Sequence, residues 1–168
     1  MTTLKTERLF LRKLKTSDKK RLINQIGNYN VSKNLSNVPF PYTMEDADNW
    51  YKCLLQKKME FNYNIFIKNL LIGGVSLTNQ ENGSYNLGYW LGQTYWGQGY
   101  ATESAKALIF FAKTKINPLT IEAEHNKTNF ASENVINKLG FKYIGDREQY
   151  IISQQKRVVC KKYFLKLN

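Results

Sequence analysis

Residues 87–103 read LGYWLGQTYWGQGYATE. An apolar alternation, Leu87, Tyr89 and Leu91, runs into the glycine-rich turn Gly97-Gln98-Gly99. That turn opens on a helical pattern with Ala101, Ala105, Leu108, Ile109 and Ala112 on one side. A strand is therefore handed to a helix through small residues at 97, 99 and 101. Glycine lets backbone approach a ligand closely, and the unpaired N–H groups at a helix start attract phosphate oxygens. The same turn would also serve as a tightly packed corner with no ligand. A dinucleotide fingerprint needs a third glycine where Thr102 stands, and the phosphate loop of nucleotide triphosphatases needs a Gly-Lys-Ser/Thr ending that the chain lacks.

Upstream of this stretch the period is two. Phe61, Tyr63, Ile65 and Ile67 alternate with Asn62, Asn64 and Lys68, a second run puts Leu71, Val75 and Leu77 on one face, and a third carries Tyr85 to Leu91. Lys68-Asn69 and residues 79–84 are turns by their chemistry, so the three runs form an antiparallel meander. Earlier still, Arg8 to Leu14 reads as a strand, and Ser17-Asp18 opens a helix carrying Leu22, Ile23 and Ile26. The prolines at 39 and 41 exclude a regular helix over residues 37–42. Thr43 is an N-cap with Asp46 as its capping-box partner, for a helix with Ala47, Trp50, Tyr51, Leu54 and Leu55 on its stripe.

Downstream, Pro118 ends the helix that begins near Ala101, and Leu119 to His125 is a strand. Asn129 to Leu139 is a helix closed by Gly140, and two strands, Phe141–Ile152 and Arg157–Leu167, flank a turn at 153–155. The order predicts an α/β (α+β) fold, with a mixed, mostly antiparallel sheet of about seven strands flanked by helices. No linker or repeat divides residues 1–168, which are expected to form one domain.

Net charge is +12, from 25 basic and 13 acidic residues. It suits an anionic partner, yet the Lys19-Lys20, Lys57-Lys58 and Lys161-Lys162 pairs are scattered, as on a solvated surface. No apolar run reaches the roughly 20 residues of a membrane span, and the N-terminus lacks a leader pattern, so a cytoplasmic protein with no membrane partner is expected. Cys53 and Cys160 are too few for a metal cluster or a disulfide framework, and no metal is expected.

Three blocks carry a resemblance. Tyr95 to Glu103 resembles the coenzyme A-binding motif of GNAT acetyltransferases in its RimJ/RimL-like form. Asn129-Phe130-Ala131-Ser132 followed by Asn137-Lys138-Leu139-Gly140-Phe141 is similar to that branch's Asn-x-x-Ser…Glu-Lys-Leu-Gly-Phe block, with Asn137 in place of the glutamate. Leu4 to Leu14 resembles its opening strand. The resemblance spans nearly the whole chain and implies an acetyl-CoA-dependent N-acetyltransferase. In such an enzyme a primary amine attacks the thioester directly in a ternary complex.

By that resemblance, the backbone of Trp90 and Leu91 holds the pantetheine arm. Gly97, Gln98, Gly99, Tyr100, Ala101 and Thr102 cradle the pyrophosphate, and Asn129 contacts the cofactor near its pantetheine. Trp96 stands where the wider family often has Gln or Arg, so the backbone must carry the phosphates alone. An N–H near Leu91 or Gly92 would meet the developing oxyanion. Ser132 is the expected donor to the leaving thiolate, although a helix serine can equally bond a backbone carbonyl. Glu122 is the first candidate base and Glu103 the second, with Glu103 also suited to the helix dipole alone. His125, the one histidine, stands where the branch does not reserve a histidine, and neither cysteine has a base nearby in any motif.

Phe40 and Tyr42 resemble the segment lining the acceptor cleft. Relatives acetylate ribosomal-protein N-termini, polyamines, amino acids or drugs, and the basic charge disfavours a polycationic acceptor. Monomer and homodimer both stay open. Two alternatives also stand: a non-catalytic acetyl-CoA sensor, and a nucleic-acid or ribosome-binding module using Tyr85, Tyr89, Trp90, Tyr95 and Trp96. The second requires those aromatics to be exposed together beside basic residues.

Overall fold

A computed structural model describes residues 3–56, 61–115 and 120–167. Lys57, Lys58, Pro118 and Leu119, which figure in the sequence reading, lie outside the described residues. Among the described residues, eight strands form one sheet in the order β1-β2-β3-β4-β5-β6-β8-β7. They are β1 (Leu4–Lys5), β2 (Phe10–Arg12), β3 (Phe61–Ile67), β4 (Leu70–Asn79), β5 (Tyr85–Leu91), β6 (Thr120–Asn126), β7 (Lys142–Ile151) and β8 (Lys156–Lys166). All neighbours are antiparallel except β5 and β6. A parallel pair needs a crossover, and α4 (Tyr100–Lys115) supplies it.

The eighth strand arises because the expected opening strand is two. Between β1 and β2 the chain turns at residues 6–9, where the Thr6 hydroxyl oxygen accepts the Leu9 N–H at 2.9 Å and the Thr6 N–H reaches the Leu9 carbonyl at 3.0 Å. A threonine hydroxyl competing for backbone breaks the ladder that the alternation suggested. The strand also stops at Arg12, short of Leu14, whose side chain is buried under the next helix.

Helices cover both faces. On one, α4 and α5 (Phe130–Lys138) lie over Ile65, Val75, Leu77, Leu87, Leu108, Ile121 and Ile136. On the other, α1 (Lys19–Ile26), α2 (Tyr29–Ser32) and α3 (Met44–Leu54) bury Leu22, Ile26, Val31 and Ala47 with Phe66 and Leu71. Leu71 therefore does not share a face with Val75 and Leu77. A bulge between Ile65 and Phe66 pairs Phe66 with Leu71 and Ile65 with Gly73, so Ile72 is the extra residue and the alternation changes side there. Burying each such aliphatic side chain contributes about 1.5–3 kcal/mol.

The expected cap of α3 is present: Asp46 N–H donates to the Thr43 hydroxyl at 3.2 Å, and Thr43 N–H to the Asp46 carboxylate at 2.8 Å. Leu55 follows the helix and is exposed rather than buried. Helix α2, unmarked by any apolar period, starts where the Asn28 side chain accepts the Asn30 N–H at 2.9 Å. Gly140, with φ of 85°, closes α5 as expected.

The β4–β5 contact is set by a glycine. A Cβ at Gly73 would stand 2.2 Å from the Trp90 carbonyl oxygen and 2.7 Å from a Leu91 methyl. Gly73→Ala should therefore push β5 away and cost about 1–3 kcal/mol, read as a lowered urea midpoint at unchanged slope.

Candidate active site

β5 and β6 pair over three positions, Tyr85 with Ile121, Asn86 with Glu122 and Leu87 with Ala123, and then part. Beyond that point residues 88–91 and 124–126 line a cleft of about 820 Å³, within the size range of small-molecule sites. The Gly97 turn, the start of α4 and one side of α5 form one wall; residues 30, 31 and 33–37, Arg147, Gln149, Ile151 and Cys160 form the other.

The first wall is built from backbone. Gly97 and Gly99 have φ of 75° and 81°, a region that disfavours side chains, and nothing lies within 4 Å of where a Gly97 Cβ would be. The first bond of the α4 ladder runs from the Glu103 N–H to the Gly99 carbonyl at 3.0 Å. The N–H groups of Tyr100, Ala101 and Thr102 precede it and have no carbonyl one turn back. Open space beside Gly97 and a helix start facing the cleft fit a phosphate-bearing ligand. Of the nine residues expected to bind cofactor, Trp90, Leu91, Gly97, Gly99, Tyr100, Ala101, Thr102 and Asn129 line the cleft; Gln98 does not. The Gln98 carbonyl instead accepts from Arg8 Nη1 at 3.0 Å.

Trp96 has a structural task. Its indole N–H donates to the Leu91 carbonyl at 2.8 Å and ties the end of β5 to the turn. That bond also fixes which way β5 presents its groups. The Gly92 N–H is used by the Ile72 carbonyl at 2.8 Å, so of the two expected oxyanion donors Gly92 is committed to β4. Strand alternation turns the Leu91 N–H the other way, toward the parted side.

Ser132 lies in the first turn of α5, with its N–H donating to the Asn129 side chain at 3.2 Å. Asn129 is thus the helix cap as well as a cleft residue. The Ser132 hydroxyl is 2.6 Å from the Tyr89 hydroxyl, which also reaches the Ser132 carbonyl at 3.1 Å. Burial pushes the Tyr89 phenol up to about 12, against a smaller opposite pull from Ser132, so the phenol stays protonated. Tyr89 was legible in the sequence as an inward strand residue and one of five aromatics; its hydroxyl partner is 43 residues away along the chain and no local pattern shows it.

The expected bases are elsewhere. Glu122 pairs with Lys162 at 2.8 Å and does not line the cleft; the Lys162 bond holds its carboxyl below the ordinary value despite partial burial. Glu103 is also outside the lining, bound by the Thr6 hydroxyl at 2.5 Å, the Arg8 N–H at 3.0 Å and the Arg8 guanidinium at 2.6–2.7 Å. Burial raises it, but those bonds together outweigh burial and lower its pKa. Glu124, two residues beyond Glu122, is the one acidic side chain lining the cleft among the described residues. The step of two keeps it on Glu122's face of the strand, but past the point where the strands part.

His125 lines the cleft, yet Nδ1 is 2.8 Å from the Asn126 carbonyl and Nε2 is 3.2 Å from the Tyr163 hydroxyl, which leaves both nitrogens engaged. Both cysteines are free thiols; burial first, then Glu124, pushes the Cys160 thiol up, away from the thiolate form. Phe40 and Tyr42 are not in the lining: Phe40 packs edge-on against Tyr29, and Tyr42 packs into the α1–α3 cluster. The wall opposite the Gly97 turn comes instead from the segment just before them. Tyr85, Tyr89 and Tyr95 pack against the main core and Trp90 against the second cluster, so Trp96 alone of the five aromatics is exposed.

No grouping of three or more metal-ligating acids, histidines or cysteines occurs among the described residues, and none of their helices is long and apolar enough to cross a membrane. The family model described as the acetyltransferase (GNAT) domain matches residues 8–142. A protein called uncharacterized N-acetyltransferase p20, from Bacillus licheniformis, is 32% identical over 156 residues, covering 89% of this chain and 88% of its own length. The GNAT-family acetyltransferase of Bacillus anthracis superposes with a TM-score of 0.85 at 22% identity over 98% of both chains. An acetyltransferase from Salmonella typhimurium, described as modifying the N-terminal serine of ribosomal protein L7/L12, gives 0.84 at 19% identity over 99% of this chain and 100% of its own. A ribosomal L7/L12 alpha-N-protein acetyltransferase solved with coenzyme A also gives 0.84, at 20% identity over 99% and 98%. At such identities these three structures establish the fold.

The Arg8–Glu103 clamp yields a pH prediction. A carboxyl lowered in the folded state adds stability above its unfolded pKa, and loses it as pH falls through the folded value. Glu103→Gln should cost about 1–2 kcal/mol near pH 7, and the gap to wild type should close below about pH 4. Urea denaturation at a series of pH values measures it.

Proposed function

We propose, from the premise that this chain belongs to the acetyltransferase (GNAT) family, that it transfers the acetyl group of acetyl-CoA to a primary amine, a peptide N-terminus or a small molecule. The observation carrying this reading is the parting of β5 and β6 directly before the Gly97 turn. It places one backbone cradle, one hydroxyl and one carboxylate around a single cleft. When bound, acetyl-CoA supplies an activated acyl carbon; the nitrogen–carbon bond forms as the carbon–sulfur bond breaks, and the amine's surplus proton ends on sulfur or in solvent.

The chain's part is positioning and proton handling. The N–H groups of Tyr100, Ala101 and Thr102, with the left-handed Gly97 and Gly99, hold phosphate oxygens. The Leu91 N–H faces the oxygen that gains charge during transfer, where a fixed donor costs no reorganisation. Glu124 takes the proton that an ammonium must lose before its nitrogen can attack. Ser132 gives its hydroxyl proton to the departing sulfur and is reprotonated from solvent, to which the nitrogen sheds its second proton, while Tyr89, 2.6 Å away, holds that hydroxyl in place. Fixing both reactants in one cleft supplies most of the acceleration. The ribosomal-protein acetyltransferases of the same fold support an amino-terminal acceptor as one member of this class.

Calorimetric titration with acetyl-CoA, followed by CoA release against peptides, amino acids, polyamines and aminoglycosides, tests the reading. Binding with turnover on one class supports it, and no binding overturns it. Glu124→Gln should lower kcat/KM on the productive acceptor by about 10²–10⁴-fold, with acetyl-CoA affinity as the companion measurement.

A further inference from the structure

In the acceptor half of the cleft a carboxylate and a guanidinium stand together. Arg147 Nε donates to Glu124 Oε2 at 2.8 Å, Nη2 approaches the same oxygen at 2.7 Å, and Nη2 also reaches Gln149 Oε1 at 2.7 Å. All three line the cleft. Glu124 lies on the parted end of β6, and Arg147 and Gln149 on alternate positions of the edge strand β7. The pair is not a buried strut, since the Arg147 side chain is 52% exposed against 18% for Glu124. A half-exposed ion pair contributes little to stability and exchanges partners cheaply.

We propose that Arg147 selects the acceptor, and that the acceptor is an amine carrying a carboxylate a few atoms from its nitrogen, as in a free α-amino acid. This rests on the transfer reading above. The resting pair is split by a ligand with the opposite two charges: the ammonium goes to Glu124 and the carboxylate to the guanidinium fork. Arg is suited to this because its planar donors match a carboxylate in two-point fashion. Gln149 steadies the fork when Glu124 lets go. A plain amine breaks the same pair and leaves Arg147 with no anion in return. A polyamine adds further cations beside Arg147 and Lys33, which also lines this wall. A peptide N-terminus offers an amide carbonyl in place of the carboxylate, a weaker partner for a cation.

The test compares three acceptor forms with the same side chain: each of the twenty L-amino acids, its carboxamide, and its decarboxylated amine where one exists. CoA release gives kcat/KM for each. Wild type should favour a free amino acid over its carboxamide and amine by about 10- to 100-fold. Arg147→Gln should collapse that ratio toward one, and Arg147→Lys should leave it in between. Circular dichroism and acetyl-CoA affinity check that each variant is folded. Equal use of the three forms by wild type, or a ratio unchanged in Arg147→Gln, overturns the proposal, and preference for the carboxamides points to peptide N-termini instead. If no acceptor turns over, the transfer reading fails separately, and calorimetry of the CoA-loaded protein decides this one. Amino-acid binding that beats the carboxamide and is lost in Arg147→Gln upholds it; no binding by any of the twenty overturns it.

Discussion

Parallel pairing between β5 and β6 that stops after three residues is the constraint on which the rest depends. A continuous ladder would satisfy every backbone group and close the sheet. Parting it at Leu87 and Ala123 leaves the far ends of both strands facing a cleft. That opening is stable only because other bonds hold each strand. Gly92 is bound back to β4 through Ile72, Trp96 pins the Leu91 carbonyl from the turn, and β6 is paired with β8 along its whole length, through Asn126 with Cys160. The cleft is thus an arrangement of well-satisfied strands rather than a gap in the packing.

The same economy shapes the turn. Two left-handed glycines and the start of α4 form the cradle, and the cradle is held from outside by the N-terminal hairpin. Arg8 reaches the Gln98 carbonyl and, with Thr6, grips Glu103. A residue that looked like a dipole partner or a base is therefore the anchor between the first strands of the chain and the first turn of α4. Its lowered pKa belongs to that anchoring.

Much of this was legible in the sequence because it is written in short-range signals. The Thr43–Asp46 capping box, the Gly140 stop, the meander and the glycine turn each depend on residues within a few positions of one another. What the sequence hid depends on contacts across the sheet. The bulge that moves Leu71 to the other face leaves no mark in the alternation. The hydroxyl that splits the first strand acts through a bond to Leu9 that alternation alone does not show. The candidate bases illustrate the limit well: Glu122 and Glu124 share a strand face, and only knowing where β5 leaves β6 separates the carboxylate paired with Lys162 outside the cleft from the one paired with Arg147 inside it. Tyr89 and the wall built from residues 30–37 went unseen for the same reason.

The two walls of the cleft differ in what they are made of, and that bears on how such a protein can diversify. The wall around Gly97 and α4 works chiefly through backbone groups, whose positions survive most side-chain changes outside its glycines. The opposite wall, from residues 30–37 and the β7 edge, presents side chains: asparagines, serine, lysine, arginine and glutamine. Substitutions of these polar side chains alter what the cleft meets without emptying the core beneath, which this wall enters through Val31. Inheritance can therefore keep one half of the cleft fixed while the other half drifts to new partners, each change small and each tolerated by the fold.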